Sequence, residues 1–595
     1  MNRIHVNYTE IPLKKALLLA SAATAVAFAV AAVPSPRSLD DPAIPPRIPA
    51  TFPATWRFPA GERPSFAPHA MVASDSRIAS EVGAQIMKEG GNAVDAAVAT
   101  GFALAVAYPE AGNLGGGGYM VIRMADGRVA ALDYRETAPV AATRDMYVGP
   151  DGKVTDESVI GPKASGVPGA VAGMLEAHRK FGVLPIAKVL APAIHLAAEG
   201  FVVDSTFFRS VAGAKYRIEN YAGKALFFAS DSAPAIGSRF AQPALARTIR
   251  LIADSGAAVF YRGSIADSIA AEMQRDGGLI TKADLARYKP IWRQPIRSSY
   301  RGYALIAMPP SSSGGTTVTE ILNIREAYGR PAPFGSAEEI HAVASASQRA
   351  FVDRNSKLGD PDFVKAPISE LTSKAYARAI AKTISRDRAD PTSDLASGLG
   401  EGNETTHYSV VDPVGNAVAT TTTLNDLYGS GIYVRGAGFF LNDEMDDFTS
   451  KPGVPNMFGL IQGEANAIAP GKRMLSAMSP TIVLDPKGQL LLITGARGGP
   501  RIISATYQVI LNVIDHRMTI ADAMNAPRIH HQSRPDSVRV ETGGFEPSVI
   551  ARLRGMGHFV YEQGGVASAA SIMRVKGGYE GFDDSRNRGG GAVGY

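Results

Sequence analysis

Glu404-Thr405-Thr406-His407-Tyr408-Ser409-Val410-Val411-Asp412, followed by Pro413-Val414-Gly415-Asn416 and Ala417-Val418-Ala419-Thr420-Thr421-Thr422-Thr423-Leu424, reads as two β-strands joined by a turn. β-Branched and aromatic residues fill the first run, Asp412 to Asn416 supplies turn formers, and Ala417 to Leu424 returns as the second strand. Just upstream, Asp390 to Glu404 is polar and rich in Gly and Ser, which predicts a mobile surface segment. That segment feeds directly into a strand whose first residue is a threonine. A threonine hydroxyl is a poor nucleophile unless a base takes its proton, and the α-amine of a chain-initial threonine, with a reference pKa of about 7.7 to 8.0, can do so. Thr405 would reach that state by attacking the Glu404 carbonyl, with hydrolysis of the resulting ester. On β propensity alone, however, a Thr-Thr pair opening a strand is ordinary β structure.

Small and apolar residues recur at helical spacing from Ala79 to Val106, with Gly90-Gly91 as a break, and predict two closely packed helices. Asn113 to Gly118 leads into a strand from Tyr119 to Met124, and Asp126-Gly127 turns it into a second from Val129 to Tyr134. Residues 165–290 and 336–390 read as mainly helical scaffold. The glycines at 115 to 118 lack the Lys-Ser/Thr ending of a phosphate loop, so close backbone packing accounts for them better. His530-His531 has no His-Glu-x-x-His or cysteine partner and reads as structural, and no Gly-x-Ser-x-Gly elbow is present.

With 595 residues, 45% hydrophobic and 20% charged, the chain can bury a large core in one continuous α/β body. A net charge of +5 without dense Lys/Arg runs excludes a nucleic-acid partner, and zero cysteines exclude thiol catalysis, disulfides and thiolate metal sites. Lys14 and Lys15 precede an apolar run from Ala16 to Val33 that ends at Pro34, which reads as a bacterial secretory signal cleaved after Ala31. A retained membrane anchor is the alternative. Ten prolines between residues 32 and 68 then predict an extended leader, with the folded body starting near His69.

The run from Asn403 to Asp412, followed by Gly415-Asn416-Ala417-Val418, closely resembles the processing site of the γ-glutamyltransferase (glutathione hydrolase) family. The resemblance extends through Gly90 to Ala97, Asn113 to Gly118, Asp133 to Pro139, Met308 to Gly315, Leu358 to Pro361, Asn442 to Phe448, Pro470 to Pro480 and Asn525 to Arg528. It implies an N-terminal-nucleophile hydrolase fold, a four-layer α/β/β/α sandwich. It also implies autocleavage between Glu404 and Thr405. The chain then divides into a signal peptide at 1–31, a leader at 32–68, a large subunit at 69–404 and a small catalytic subunit at 405–595, the two subunits remaining associated.

Carried over residue by residue, the resemblance makes Thr405 the nucleophile and, through its amine, the base. Thr423 supports it, and the N–H groups of Gly498 and Gly499 form the oxyanion hole. Arg135 and Ser476 hold the donor's α-carboxylate, while Asn425, Glu444 and Asp447 hold its ammonium. No metal or organic cofactor is implied; donors are glutathione and other γ-glutamyl compounds, and acceptors are water, amino acids or dipeptides. Two positions depart from the family pattern. A second serine after Ser476 is replaced by Ala477, and losing one hydrogen bond to a charged group costs about 1.5 to 3 kcal/mol. Phe458, in the lid-like stretch Lys451 to Leu460, stands where tyrosine is common, so a tethering hydroxyl is gone. A same-fold amidase such as a glutaryl-type β-lactam acylase is the nearest rival, favoured by Ala477 and Phe458 and opposed by Asp447. An inactive exported binding protein is the rival of another class.

Overall fold

Tyr408 and Val410, on alternate positions of the strand Thr406–Val411, pack into a helical layer, whereas Ser409 turns the other way and donates to the Ala570 carbonyl of a facing sheet at 2.9 Å. That alternation sets the architecture. The computed structural model describes residues 46–392 and 405–595, all within one compact unit, Leu39–Tyr595. The expected signal peptide, the first part of the leader, and Glu404 with most of the segment preceding it lie outside the described residues.

The first sheet has seven antiparallel strands in the order Gly591–Gly594, Met71–Ser74, Thr406–Val411, Ala417–Thr423, Gly117–Arg123, Val129–Asp133 and Ile291–Arg293. The second, eight-stranded, runs Ser65–Ala67, Gly578–Asp583, Ser568–Val575, Leu490–Thr494, Thr481–Leu484, Tyr303–Ala307 and Ile296–Tyr300, with Ala496–Arg497 pairing beside Ser568–Val575. One core joins Met120, Ile122, Val410 and Val418 to helices such as Ala93–Ala107 and Ala170–Phe181. The other fills the space between the sheets with Val121, Ala419, Ile482 and Ile572, and continues to the helices Gly314–Tyr328, Ala337–Lys357 and Arg501–Ile514. The result is the α/β/β/α sandwich that the resemblance implies.

The two helices expected between Ala79 and Val106 are Arg77–Lys88 and Ala93–Ala107. Asn92 caps the second, accepting from the Val94 and Asp95 N–H groups while the Asp95 carboxylate accepts from the Asn92 N–H. A Cβ at Gly83 would lie 2.3 Å from the Thr100 hydroxyl, so glycine there is what lets the pair approach.

The folded body begins before His69. Ser65–Ala67 pairs with Gly578–Asp583, and buried Trp56 donates from Nε1 to the Asn525 carbonyl at 2.9 Å. Proline density forbids helix but not burial, so this extended segment serves as a strap across the second sheet and its helices. Trp56→Ala is expected to cost about 3–5 kcal/mol, read as a lowered urea midpoint with unchanged slope; an unshifted midpoint would mean the strap contributes nothing. No helix among the described residues is long and apolar enough to cross a membrane.

Candidate active site

Thr405 stands at the mouth of the two central strands, 4% exposed, with its Oγ1 donating to Thr423 Oγ1 at 3.4 Å. Thr423 in turn accepts from the Asn425 N–H at 2.8 Å. Asn425 adopts a left-handed conformation, φ 83°, and its amide donates to the Asp443 carbonyl at 3.1 Å. Behind this corner, Asn113 donates to the Thr423 carbonyl at 2.9 Å. A Cβ on Gly116 would meet that same carbonyl at 2.1 Å, which is the close backbone packing expected of the glycine run.

A cavity opens at Thr405 and is lined by Arg135, Arg354, Thr423, Asn425, Glu444, Asp447, Phe458, Ser476, Ala477 and Gly499 among others. Every sequence-derived candidate among the described residues except Gly498 lines it, and Gly498 adjoins Gly499. Arg135, fully buried, follows the strand Val129–Asp133, and its N–H donates to the Asp133 carboxylate at 3.1 Å. Its guanidinium forks between Glu444, at 2.7 Å, and Asp447. These two carboxylates come from one short 3-10 turn, Glu444–Asp447, in which positions three apart eclipse. Asn442 fixes that turn by accepting from the Glu444 and Gly166 N–H groups and donating to the Gly115 and Gly166 carbonyls.

Burial opposes charge on Arg135, but Glu444 and Asp447 outweigh it and hold the guanidinium above its ordinary pKa. Burial pushes Glu444 well above the usual carboxylate range and raises Asp447 too, against the pull of Arg135. Glu136, 3.6 Å from Arg135, is pushed up by burial to about 7. The pocket thus sets the Arg135 cation against carboxylates a few ångströms away, an arrangement suited to a ligand carrying both an anionic and a cationic group.

Gly498 and Gly499, with φ of 125° and 56°, form the turn between Ala496–Arg497 and the helix Arg501–Ile514. Among the described residues neither N–H donates a hydrogen bond within the protein. A Cβ on Gly499 would meet the Phe458 ring at 2.9 Å, so the ring lies directly over the turn. Phe458 carries no hydroxyl, and the stretch around it is held by hydrogen bonds of its neighbours. Asn456 accepts from the Phe458 and Leu460 N–H groups, Asp446 accepts from Met457, and the Gln532 amide donates to the Gly459 carbonyl at 3.1 Å. His530 orients Gln532 at 2.8 Å and also bonds Ser504, while His531 lies 3.3 Å from Asp536. Both histidines work as hydrogen-bonding groups of the scaffold.

Arg354 and Gln532 escape sequence reasoning. The first lies four residues before the Leu358-Gly359-Asp360-Pro361 motif and the second within two of the His530-His531 pair, but neither carries a pattern of its own.

The family model for Gamma-glutamyltranspeptidase matches residues 79–594. The glutathione hydrolase proenzyme of Escherichia coli (strain K12) is 47% identical over 517 residues, covering 86% of this chain and 89% of that protein. Among solved structures, a cephalosporin acylase from Bacillus halodurans superposes with a TM-score of 0.79 at 28% identity, covering 92% of this chain and 99% of that one. The Helicobacter pylori gamma-glutamyltranspeptidase gives 0.53 at 42% identity, covering 55% of this chain and 94% of that one. A family model spanning nearly the whole body, and a relative close to half identical along most of both chains, establish that the chain belongs to the gamma-glutamyltranspeptidase family.

Proposed function

We propose that this protein is a self-processing γ-glutamyltransferase and glutathione hydrolase in which Thr405 attacks γ-glutamyl amides. The observation that carries the reading is the Arg135 fork between Glu444 and Asp447 in the cavity that Thr405 lines. A γ-glutamyl donor presents an α-carboxylate and an α-ammonium on one carbon. The carboxylate engages Arg135 and Ser476, and the ammonium engages Asn425, Glu444 and Asp447, each replacing the opposite charge that its partner otherwise faces.

Maturation begins with attack of Thr405 Oγ1 on the Glu404 carbonyl. The peptide becomes an ester at Oγ1, water hydrolyses it, and the new α-amine of Thr405 is released. Thr423 Oγ1, within reach of the nucleophile, orients the hydroxyl. In turnover that amine takes the hydroxyl proton as Oγ1 adds to the γ-carbonyl, and the N–H groups of Gly498 and Gly499 stabilise the oxyanion. Collapse expels the amine, which leaves with the proton, and the γ-glutamyl ester passes to water or to an amino-acid or peptide amine. The two products of maturation stay associated because they share one sheet. Met71–Ser74 and Gly117–Arg123 come from the large portion and flank Thr406–Val411 and Ala417–Thr423 from the small one. Glutathione fits as donor, and the charged run before Ala16 to Val33 supports export to the periplasm or medium.

The structural likeness to a cephalosporin acylase and the alanine at 477 favour one second reading, an amidase for glutaryl groups. Release of chromophore from γ-glutamyl and glutaryl anilides separates the two. Because a glutaryl group offers nothing to Asp447, the γ-glutamyl anilide is expected to be preferred by about 100-fold or more in kcat/KM. A glutaryl preference would replace this reading with the acylase one.

A further inference from the structure

Arg135, Arg325, Arg354 and Arg528 are all less than 2% exposed. Three of them are ion-paired, Arg135 with Glu444, Arg325 with Glu339 and Arg528 with Asp584. Arg354 forms no ion pair among the described residues. Its Nε donates to Ser313 Oγ at 2.9 Å, and its Nη1 donates to the side-chain oxygens of Asn355 at 2.8 Å and Gln462 at 3.3 Å, all neutral acceptors. Nη2 has no hydrogen-bond partner among the described residues, and Arg354 lines the cavity at Thr405. Burying a cation without a counter-charge is costly, so such a group is retained where an anion arrives to meet it.

The surroundings identify which anion. Ser313, which holds Arg354 Nε, donates from both its N–H and its hydroxyl to the Ser476 carbonyl, at 2.8 and 2.6 Å. Arg354 is therefore tied to the backbone of the carboxylate side of the pocket, next to Ala477, which lines the same cavity and offers no hydroxyl. Burial lowers the Arg354 pKa to about 10, with Asp447 the charge that opposes this. The guanidinium remains cationic at neutral pH.

We infer that Arg354 is a second carboxylate-binding residue of the donor site, its Nη2 donating to the α-carboxylate held by Arg135 and offsetting the hydroxyl missing at Ala477. Two guanidiniums then stand against Glu444 and Asp447, so a zwitterionic donor enters with each charge compensated. This rests on the γ-glutamyl reading of the site.

The test uses the matured enzyme and three anilides: γ-glutamyl, glutaryl, which keeps the carboxylate but lacks the amine, and 4-aminobutyryl, which keeps the amine but lacks the carboxylate. Arg354→Gln is expected to raise KM for the γ-glutamyl anilide about 10- to 100-fold with kcat within about threefold. Its penalty should extend to the glutaryl anilide and be absent from the 4-aminobutyryl one. Arg354→Lys, which keeps the charge and loses the fork, should fall between wild type and Arg354→Gln, and adding Ala477→Ser to Arg354→Gln should recover part of the affinity. If Arg354→Gln fails to mature, the same comparison on Arg354→Lys decides. Equal losses on all three anilides, or an unchanged KM for the γ-glutamyl one, would overturn the inference. Wild-type preference between the γ-glutamyl and glutaryl anilides reports separately on the underlying reading.

Discussion

Thr405→Ala is expected to give a single uncut chain, where the wild type gives two fragments with the smaller beginning at residue 405, and to lower γ-glutamyl anilide turnover by about 10,000-fold or more. The expectation follows from two uses of one hydroxyl. Without Oγ1 no ester forms at the Glu404 carbonyl, so the peptide stays closed and the α-amine never appears; and even a chain cut by other means would lack the attacking atom. The substitution should leave the fold intact. Thr405 precedes the strand Thr406–Val411, whose ladders to Met71–Ser74 and Ala417–Thr423 do not depend on its side chain, and β-propensity differences span only about 1 kcal/mol. Intact mass and urea unfolding on the same preparation check both halves. A Thr405→Ala chain that still splits before residue 405, or retains more than about 1% of turnover, would remove Thr405 from the chemistry.

The strand pair that carries Thr405 was legible because its signal is local. Tyr408 and Val410 alternate with Ser409 and Val411 at period two, and turn formers separate them from Ala417–Thr423. Likewise the small and apolar residues at helical spacing from Ala79 to Val106, broken at Gly90-Gly91, mark a close helix pair within a short stretch of sequence. The quoted family motifs placed the remaining candidates, and the cavity at Thr405 brings them together. What escaped depends on distant partners. Arg354 resembles any cation in the last turn of a helix; only contact with Ser313, 41 residues away, and Gln462, 108 away, makes it a buried group of the pocket. Gln532 reaches the Gly459 carbonyl, 73 residues before it. Trp56 sits in a proline-rich stretch whose composition gives backbone shape but not the face of the protein it will cover.

Arg135→Gln is expected to lower kcat/KM for the γ-glutamyl anilide by about 2–5 kcal/mol in transition-state terms, roughly 30- to 5,000-fold, and to destabilise the protein in a pH-dependent way. In the wild type one guanidinium answers Glu444 and Asp447 together, and Glu136 stands 3.6 Å behind. Glutamine offers a single neutral amide, so the donor carboxylate loses its Arg135 charge partner and Glu444 loses its ion pair, with only Arg354 left to oppose Asp447. Breaking a buried pair from one side typically costs about 3–5 kcal/mol. The sign of the pH dependence follows from the carboxylates. Burial already raises Glu444 and Asp447 against the opposing pull of Arg135, and removing that pull raises them further. A carboxyl whose folded pKa exceeds its unfolded value, about 4, contributes stability that is fully present below that value and is lost as pH rises towards the folded one. The deficit of Arg135→Gln relative to wild type should therefore be larger at pH 8 than at pH 5, as measured by urea unfolding at both. Arg135→Lys should recover part of the stability at pH 8 but little activity, because an ammonium cannot span Glu444 and Asp447 as the fork does. A deficit that shrinks with rising pH, or kcat/KM within about threefold of wild type, would show that Arg135 does not neutralise this pocket.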